Sequence, residues 1–178
     1  MMLRLLHAPK TGGTALAWAL RGTGVRRCGH SKTLADMASY DCVLTVVRDP
    51  VARFCSIWGW LMKTYPARAM TPEALLERDM LDIGQGLDIM APQSHWLGPA
   101  ERLLELAFWI GHTETLDADF ARLRRLMGLG PGYVLPPHGH KNRNEGPPAV
   151  QLHPQTIDRI RERYAIDYQL LEEISTHA

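Results

Sequence analysis

The stretch Leu3-Arg4-Leu5-Leu6-His7-Ala8-Pro9-Lys10-Thr11-Gly12-Gly13-Thr14 decides the fold. Leu3 to Leu6 is a short apolar run and reads as a buried strand. Pro9 ends ladder pairing, and Gly12-Gly13 permits backbone conformations closed to other residues. Thr14 then reads as the N-cap of an amphipathic helix over Ala15 to Arg21. Strand, glycine turn and helix together aim several backbone N–H groups at one point, and Lys10 adds a full positive charge. The pattern predicts a cradle for a phosphate-type anion. The order differs from G-x-x-x-x-G-K-[ST], because the lysine precedes the glycines. A tight strand-to-helix turn, with glycines that only permit close packing, is the alternative reading.

The rest of the chain sets the frame. It has 178 residues, 46% hydrophobic and 22% charged, which predicts one globular domain spanning 1–178. The formal net charge of +1 argues against nucleic acid as a partner and makes any anion site a local feature. Three cysteines, Cys28, Cys42 and Cys55, form no dense framework and predict reduced thiols, with Cys42 and Cys55 in the core. No leader is expected before the first strand, and no apolar run approaches the roughly 18–20 residues a membrane span needs. The expected location is cytoplasmic, without a membrane partner.

Beyond the first helix, Val25 to His30 reads as a second strand and Asp41 to Val47 as a central, continuously apolar one. Asp49-Pro50 caps a helix expected to reach about Tyr65, with Phe54, Ile57, Trp58 and Leu61 inward and Arg53, Ser56, Trp60 and Lys63 on another face. Thr71 should start a helix ending near Gly84, and residues 84–100 read as a long loop. A strand over Leu106 to Ile110, a helix over Asp117 to Met127, a Gly/Pro-rich stretch over 128–148 and a helical tail from Pro154 to about Ser175, bent at Asp167-Tyr168, complete the chain. Alternating strands and helices predict an α/β, three-layer, P-loop-like fold with a central parallel sheet flanked by helices. Ligands bind such sheets beyond the carboxyl ends of the strands, where both Lys10 and Arg48 fall.

Arg48 ends the central strand, and Ser56 follows on the next helix. A guanidinium can grip a phosphate with two parallel hydrogen bonds, and a hydroxyl can add a third. Two motifs carry a resemblance to a known family. Pro9-Lys10-Thr11-Gly12-Gly13-Thr14 resembles the 5′-phosphosulfate loop of sulfotransferases that use 3′-phosphoadenosine 5′-phosphosulfate (PAPS). The run from Val47-Arg48-Asp49-Pro50 through Arg53-Phe54 to Ser56 resembles their 3′-phosphate segment. Pro92-Gln93, Ile110 to Phe120, Asn142, and Tyr164 with Asp167-Tyr168 are similar, in order, to the carbohydrate-type sulfotransferases of Golgi and bacteria. The resemblance implies nucleotide contacts from Lys10, Thr11, Gly12, Gly13, Thr14, Arg48, Ser56 and Asn142, with Lys10 stabilising the leaving phosphate. It implies PAPS as donor, 3′-phosphoadenosine 5′-phosphate (PAP) as product and no metal. Arg53 occupies the family's second arginine slot, in a role that can be structural.

Transfer to an alcohol also calls for a general base, and histidine suits that task. Cys28-Gly29-His30 resembles the H-G-H element of heparan sulfate and related 2-O-sulfotransferases, with Cys28 in place of the first histidine. This makes His30 the expected base, with His95 and Glu114 as alternatives and His7 assigned to the core. In the late loop, His138 and His140 are loop residues or substrate contacts, and Lys141, Asn142 and Arg143 either close over the nucleotide or stay solvated. Trp60 and Trp96 are core aromatics or stacking faces for adenine or a sugar. The expectation is sulfuryl transfer to a hydroxyl of a carbohydrate or small metabolite. The rival readings are a nucleotide kinase or phosphotransferase, and a non-catalytic binder of PAPS or PAP.

Overall fold

The computed structural model describes residues 2–78, 80–82, 88–136 and 152–177. Four parallel strands form one sheet: β1 (Met2–Leu5), β2 (Arg26–Arg27), β3 (Asp41–Val47) and β4 (Ala107–His112). Their spatial order is β2-β1-β3-β4. Leu5 pairs with Leu44, and Val47 with His112. Chain order reverses between β1 and β3, the switch point beyond whose carboxyl ends sheets of this kind bind ligands.

Helices cover both faces, as the alternation of elements predicts. Leu44 and Val46 point to one face, where they meet Leu16 of α1 (Gly13–Ala19) and Phe120 and Leu123 of α6 (Leu116–Leu126). Val43 and Val47 point to the other. They meet Trp96 and Leu97 of α4 (Ser94–Leu97), Leu103 of α5 (Ala100–Leu106), and Leu170 and Ile174 of α8 (Ala165–His177). A third cluster joins α2 (Pro50–Thr64), α3 (Pro72–Leu76) and α7 (Pro154–Arg163) through Phe54, Ile57, Leu61, Leu75, Ile160 and Tyr164. No helix among the described residues is long and apolar enough to cross a membrane.

Several local expectations are corrected. Helix α1 starts at Gly13, and its cap is Gly12 at φ 86°. Thr14 lies in the first turn, because the left-handed residue, not the hydroxyl, turns the chain. β2 is only two residues long, and Cys28 continues its line with one bond to the Leu5 carbonyl. Cys28 is the buried cysteine, whereas Cys42 and Cys55 are half-buried, and all three thiols are free. Helix α3 ends at Leu76, and residues 94–106 carry α4 and α5 within the stretch read as a loop and just beyond it. The C-terminal helix breaks at Tyr164, where Asp167 turns inward and is fully buried.

Gly13 marks the tightest approach. A Cβ there would sit 2.1 Å from Cγ of His7, which is only 4% exposed. The imidazole fills the space a methyl group would need. Gly13→Ala is therefore expected to cost about 1–3 kcal/mol, read as a lower urea midpoint at unchanged m-value.

Candidate functional site

The anion loop is held by its carbonyls. Pro9 O accepts from Arg53 Nε at 3.0 Å, Lys10 O from Arg48 NH1 at 3.1 Å, and Thr11 O from Thr113 Oγ1 at 2.8 Å. The donors belong to α2, the end of β3 and the end of β4. Three successive carbonyls are thus drawn into the protein. Lys10 at φ 69° and Gly12 at φ 86° give the left-handed steps that turn peptide N–H groups the other way, as in an anion nest. The N–H groups of Gly12, Gly13 and Thr14 donate to no acceptor among the described residues. Thr11 contributes backbone only, since its buried hydroxyl donates to Ala8 O at 2.9 Å.

Lys10 and Arg48 meet at this loop. Burial, and then the nearby Arg48 guanidinium, pull the Lys10 ammonium down to about 8. Lys10 forms no ion pair with a carboxylate among the described residues, and its Nζ lies 5.6 Å from the Trp60 ring centroid. Arg48 is also held down by burial, an effect that Glu114 partly offsets. Its Nε is buried without a hydrogen-bond acceptor, since Glu114 Oε1 stands 3.8 Å away, beyond bonding distance. Glu114 instead accepts from the Asp49 N–H at 3.3 Å. Among the described residues, Lys10 has no carboxylate partner, while Arg48 is paired with Glu114 at 3.8 Å and feels Asp49 as well.

A second network fixes Arg48. The buried Gln93 amide accepts from Arg48 N at 2.9 Å and donates to Arg48 O at 2.8 Å. Asp167 accepts from Gln93 N at 2.8 Å and from Ser94 N at 3.0 Å. Asp49 caps α2 through Ala52 N at 2.8 Å, and its other oxygen accepts from Tyr168 OH at 3.3 Å. Gln93, Asp167 and Tyr168 thus position the site without belonging to the anion cradle. Their presence in the ordered resemblance was the only sequence signal for them.

Arg53 is not on an outward face. It is 1% exposed, and besides Pro9 O it donates to Ala91 O at 2.9 Å and Ile89 O at 3.1 Å. Its role is structural, pinning the anion loop to the 89–91 segment. Ser56 is half-buried on α2, and among the described residues it makes no hydrogen bond back to its own turn. Burial raises the Cys55 thiol beside it, an effect that the nearby Arg48 partly offsets.

The candidate bases divide. The His30 ring stands edge-on to His7 at 4.7 Å, and His7 lies under Gly13, so one imidazole separates His30 from the anion loop. Burial first, and Arg27 next, lower His30 below its ordinary value, which leaves it neutral and able to accept a proton. Burial takes His7 down to about 4, with its Nδ1 3.0 Å from Ala8 O, so it stays a neutral core group. His95 is exposed and packs edge-on to Trp96 at 4.9 Å. Trp96 is fully buried and donates from Nε1 to His30 O at 2.8 Å, so it offers no stacking face to a ligand. Glu114 faces Arg48. Asn142, with His138, His140, Lys141 and Arg143, lies outside the described residues.

No protein-family model matches the chain, and no curated protein matches it. The fold is α/β, and it brings two cationic side chains, Lys10 and Arg48, together at the switch point of the parallel sheet.

Sulfate tests that site, because it keeps its charge across the relevant range. Lys10 is charged below about 8 and neutral above it. Sulfate affinity, read by calorimetry, is therefore expected to fall as pH rises through about 8. Lys10→Met should bind sulfate weakly at all pH values and lose that step.

Proposed function

We propose that the protein is a PAPS-dependent sulfotransferase acting on a hydroxyl of a carbohydrate or small metabolite. The observation that carries this reading is the direct contact of Arg48 with the carbonyl of Lys10. It brings the 5′-phosphosulfate-type loop and the 3′-phosphate-type arginine together over one crevice. A nucleotide with phosphates at both ribose ends fits a site with two cations and one distant carboxylate. The Arg48 guanidinium, on a side chain 24% exposed, suits one phosphate, and the N–H groups of Gly12, Gly13 and Thr14, which donate to no acceptor among the described residues, suit the other.

PAPS would supply the sulfuryl group, which passes to the acceptor oxygen by in-line displacement. The chain's own residues divide the remaining work. Lys10 and the loop N–H groups oppose the charge that develops on the departing phosphate oxygen, a preorganised electrostatic contribution. Arg48 and Ser56 hold the 3′-phosphate, with Arg48 fixed beforehand by Gln93. His30, lowered below its ordinary value by burial, is the group assigned to take the proton of the attacking hydroxyl.

Calorimetry against PAP, AMP and ATP tests the donor assignment. PAP is expected to bind most tightly, and Arg48→Ala should remove most of its advantage over AMP. Equal affinity for PAP and AMP in the unaltered protein would overturn the reading. A preference for ATP would point to a phosphotransferase.

Turnover tests the base. His30→Ala is expected to lose about 10²–10⁴-fold in transfer rate while PAP binding persists. Near-normal turnover in that variant would transfer the role to His95 or Glu114. PAP binding without sulfate transfer to any alcohol would leave a binding protein.

A further inference from the structure

Lys10 presents a problem that the proposed chemistry does not resolve. Its backbone is fixed, with the peptide in the left-handed region and the carbonyl tied to Arg48. Its ammonium is largely withdrawn from water and has no carboxylate partner among the described residues. The charged group that faces it from the end of β3 is Arg48, of like sign. On the α2 side, Arg53 and the Cys55 thiol interact with Arg48, and from the end of β4 Glu114 also pairs with Arg48. None of these supplies Lys10 with negative charge. The group over which its Nζ lies is the indole of Trp60, at 5.6 Å from the ring centroid. The Tyr65 ring stands edge-on to that indole at 5.6 Å and helps fix its plane.

We propose that Trp60 is a positioning residue. The electron-rich face of its indole stands in for a counter-ion, keeping the Lys10 ammonium charged and aimed at the mouth of the anion loop. An aromatic face suits this place better than a carboxylate would. It stabilises a cation through its quadrupole, yet carries no net charge to repel an incoming anion. Trp60 thereby lets the site hold a proton on Lys10 without filling the space meant for phosphate. This assigns Trp60 to the lysine rather than to stacking on adenine or a sugar.

The inference deepens the reading of Lys10 given above, and its test uses the ligand-free protein, so the two can fail separately. Lys10 is followed by its 13Cε resonance in lysine-labelled protein, assigned by its loss in Lys10→Met. Trp60→Leu keeps an apolar side chain but removes the quadrupole. Its Lys10 titration is expected to fall by roughly half to one unit, while Trp60→Phe stays near the parent. An unchanged or raised titration point in Trp60→Leu would overturn the proposal and show that the indole only excludes water. Fluorotryptophan incorporation provides the same test without change of shape: the titration point should fall stepwise as ring fluorination increases, and no trend would likewise overturn it. Normal titration shifts in a protein that ignores PAP would retain this inference and remove the nucleotide reading.

Discussion

The site depends on the direction of three peptide groups. The carbonyls of Pro9, Lys10 and Thr11 each accept a hydrogen bond from a different element of the fold. A trans peptide whose oxygen points inward presents its N–H the other way, so these bonds direct the N–H groups of Lys10, Thr11 and Gly12, and the left-handed steps at Lys10 and Gly12 set the curve of the loop. A left-handed lysine costs about 1–2 kcal/mol relative to an ordinary conformation, and it persists because Arg48 holds it there. The guanidinium that ties the loop is also the one to which the proposed function assigns a phosphate.

This sharing makes the site stiff and electrostatically unsatisfied. Two cations are held near each other, both disfavoured by burial, with Glu114 the nearest carboxylate to Arg48 and too far for a hydrogen bond. Holding two like charges together is unfavourable, and an anion bound between them would relieve it, the general way in which preorganisation turns folding energy into binding. Arg53 supplies the stability that permits it. A buried guanidinium with three carbonyl acceptors on two segments is costly to desolvate, but loss of it would leave those acceptors unpaired. The Asp167–Gln93 pair does the same for the backbone of Arg48 from the opposite side.

The glycine turn after β1 and the cation that ends β3 were legible because they depend on local chemistry. A lysine and two glycines after an apolar strand, and an arginine followed by Asp-Pro at the end of another, each carry their meaning within a dozen residues. β3 and α2 were equally plain, with a β-branched run in the first and an Asp-Pro cap in the second. Arg53 was not, because helical periodicity places it at the flank of the apolar stripe while its acceptors come from residues 9, 89 and 91. Trp96 looked able to stack on a ligand, yet α4 carries it into the core against the His30 carbonyl.

What the amino-acid order determined by itself is a set of short-range facts: which segments are strands, where the chain must turn left-handed, and which cations follow the strands. What only the tertiary structure decided is their convergence. The strand order β2-β1-β3-β4 puts the first and third strands side by side, and so places Lys10 beside Arg48, with Trp60 against the lysine. The physical reason is range. Propensity and capping act over a few residues, whereas strand neighbours, and the partners of a buried charge, are chosen by packing among segments far apart in the chain.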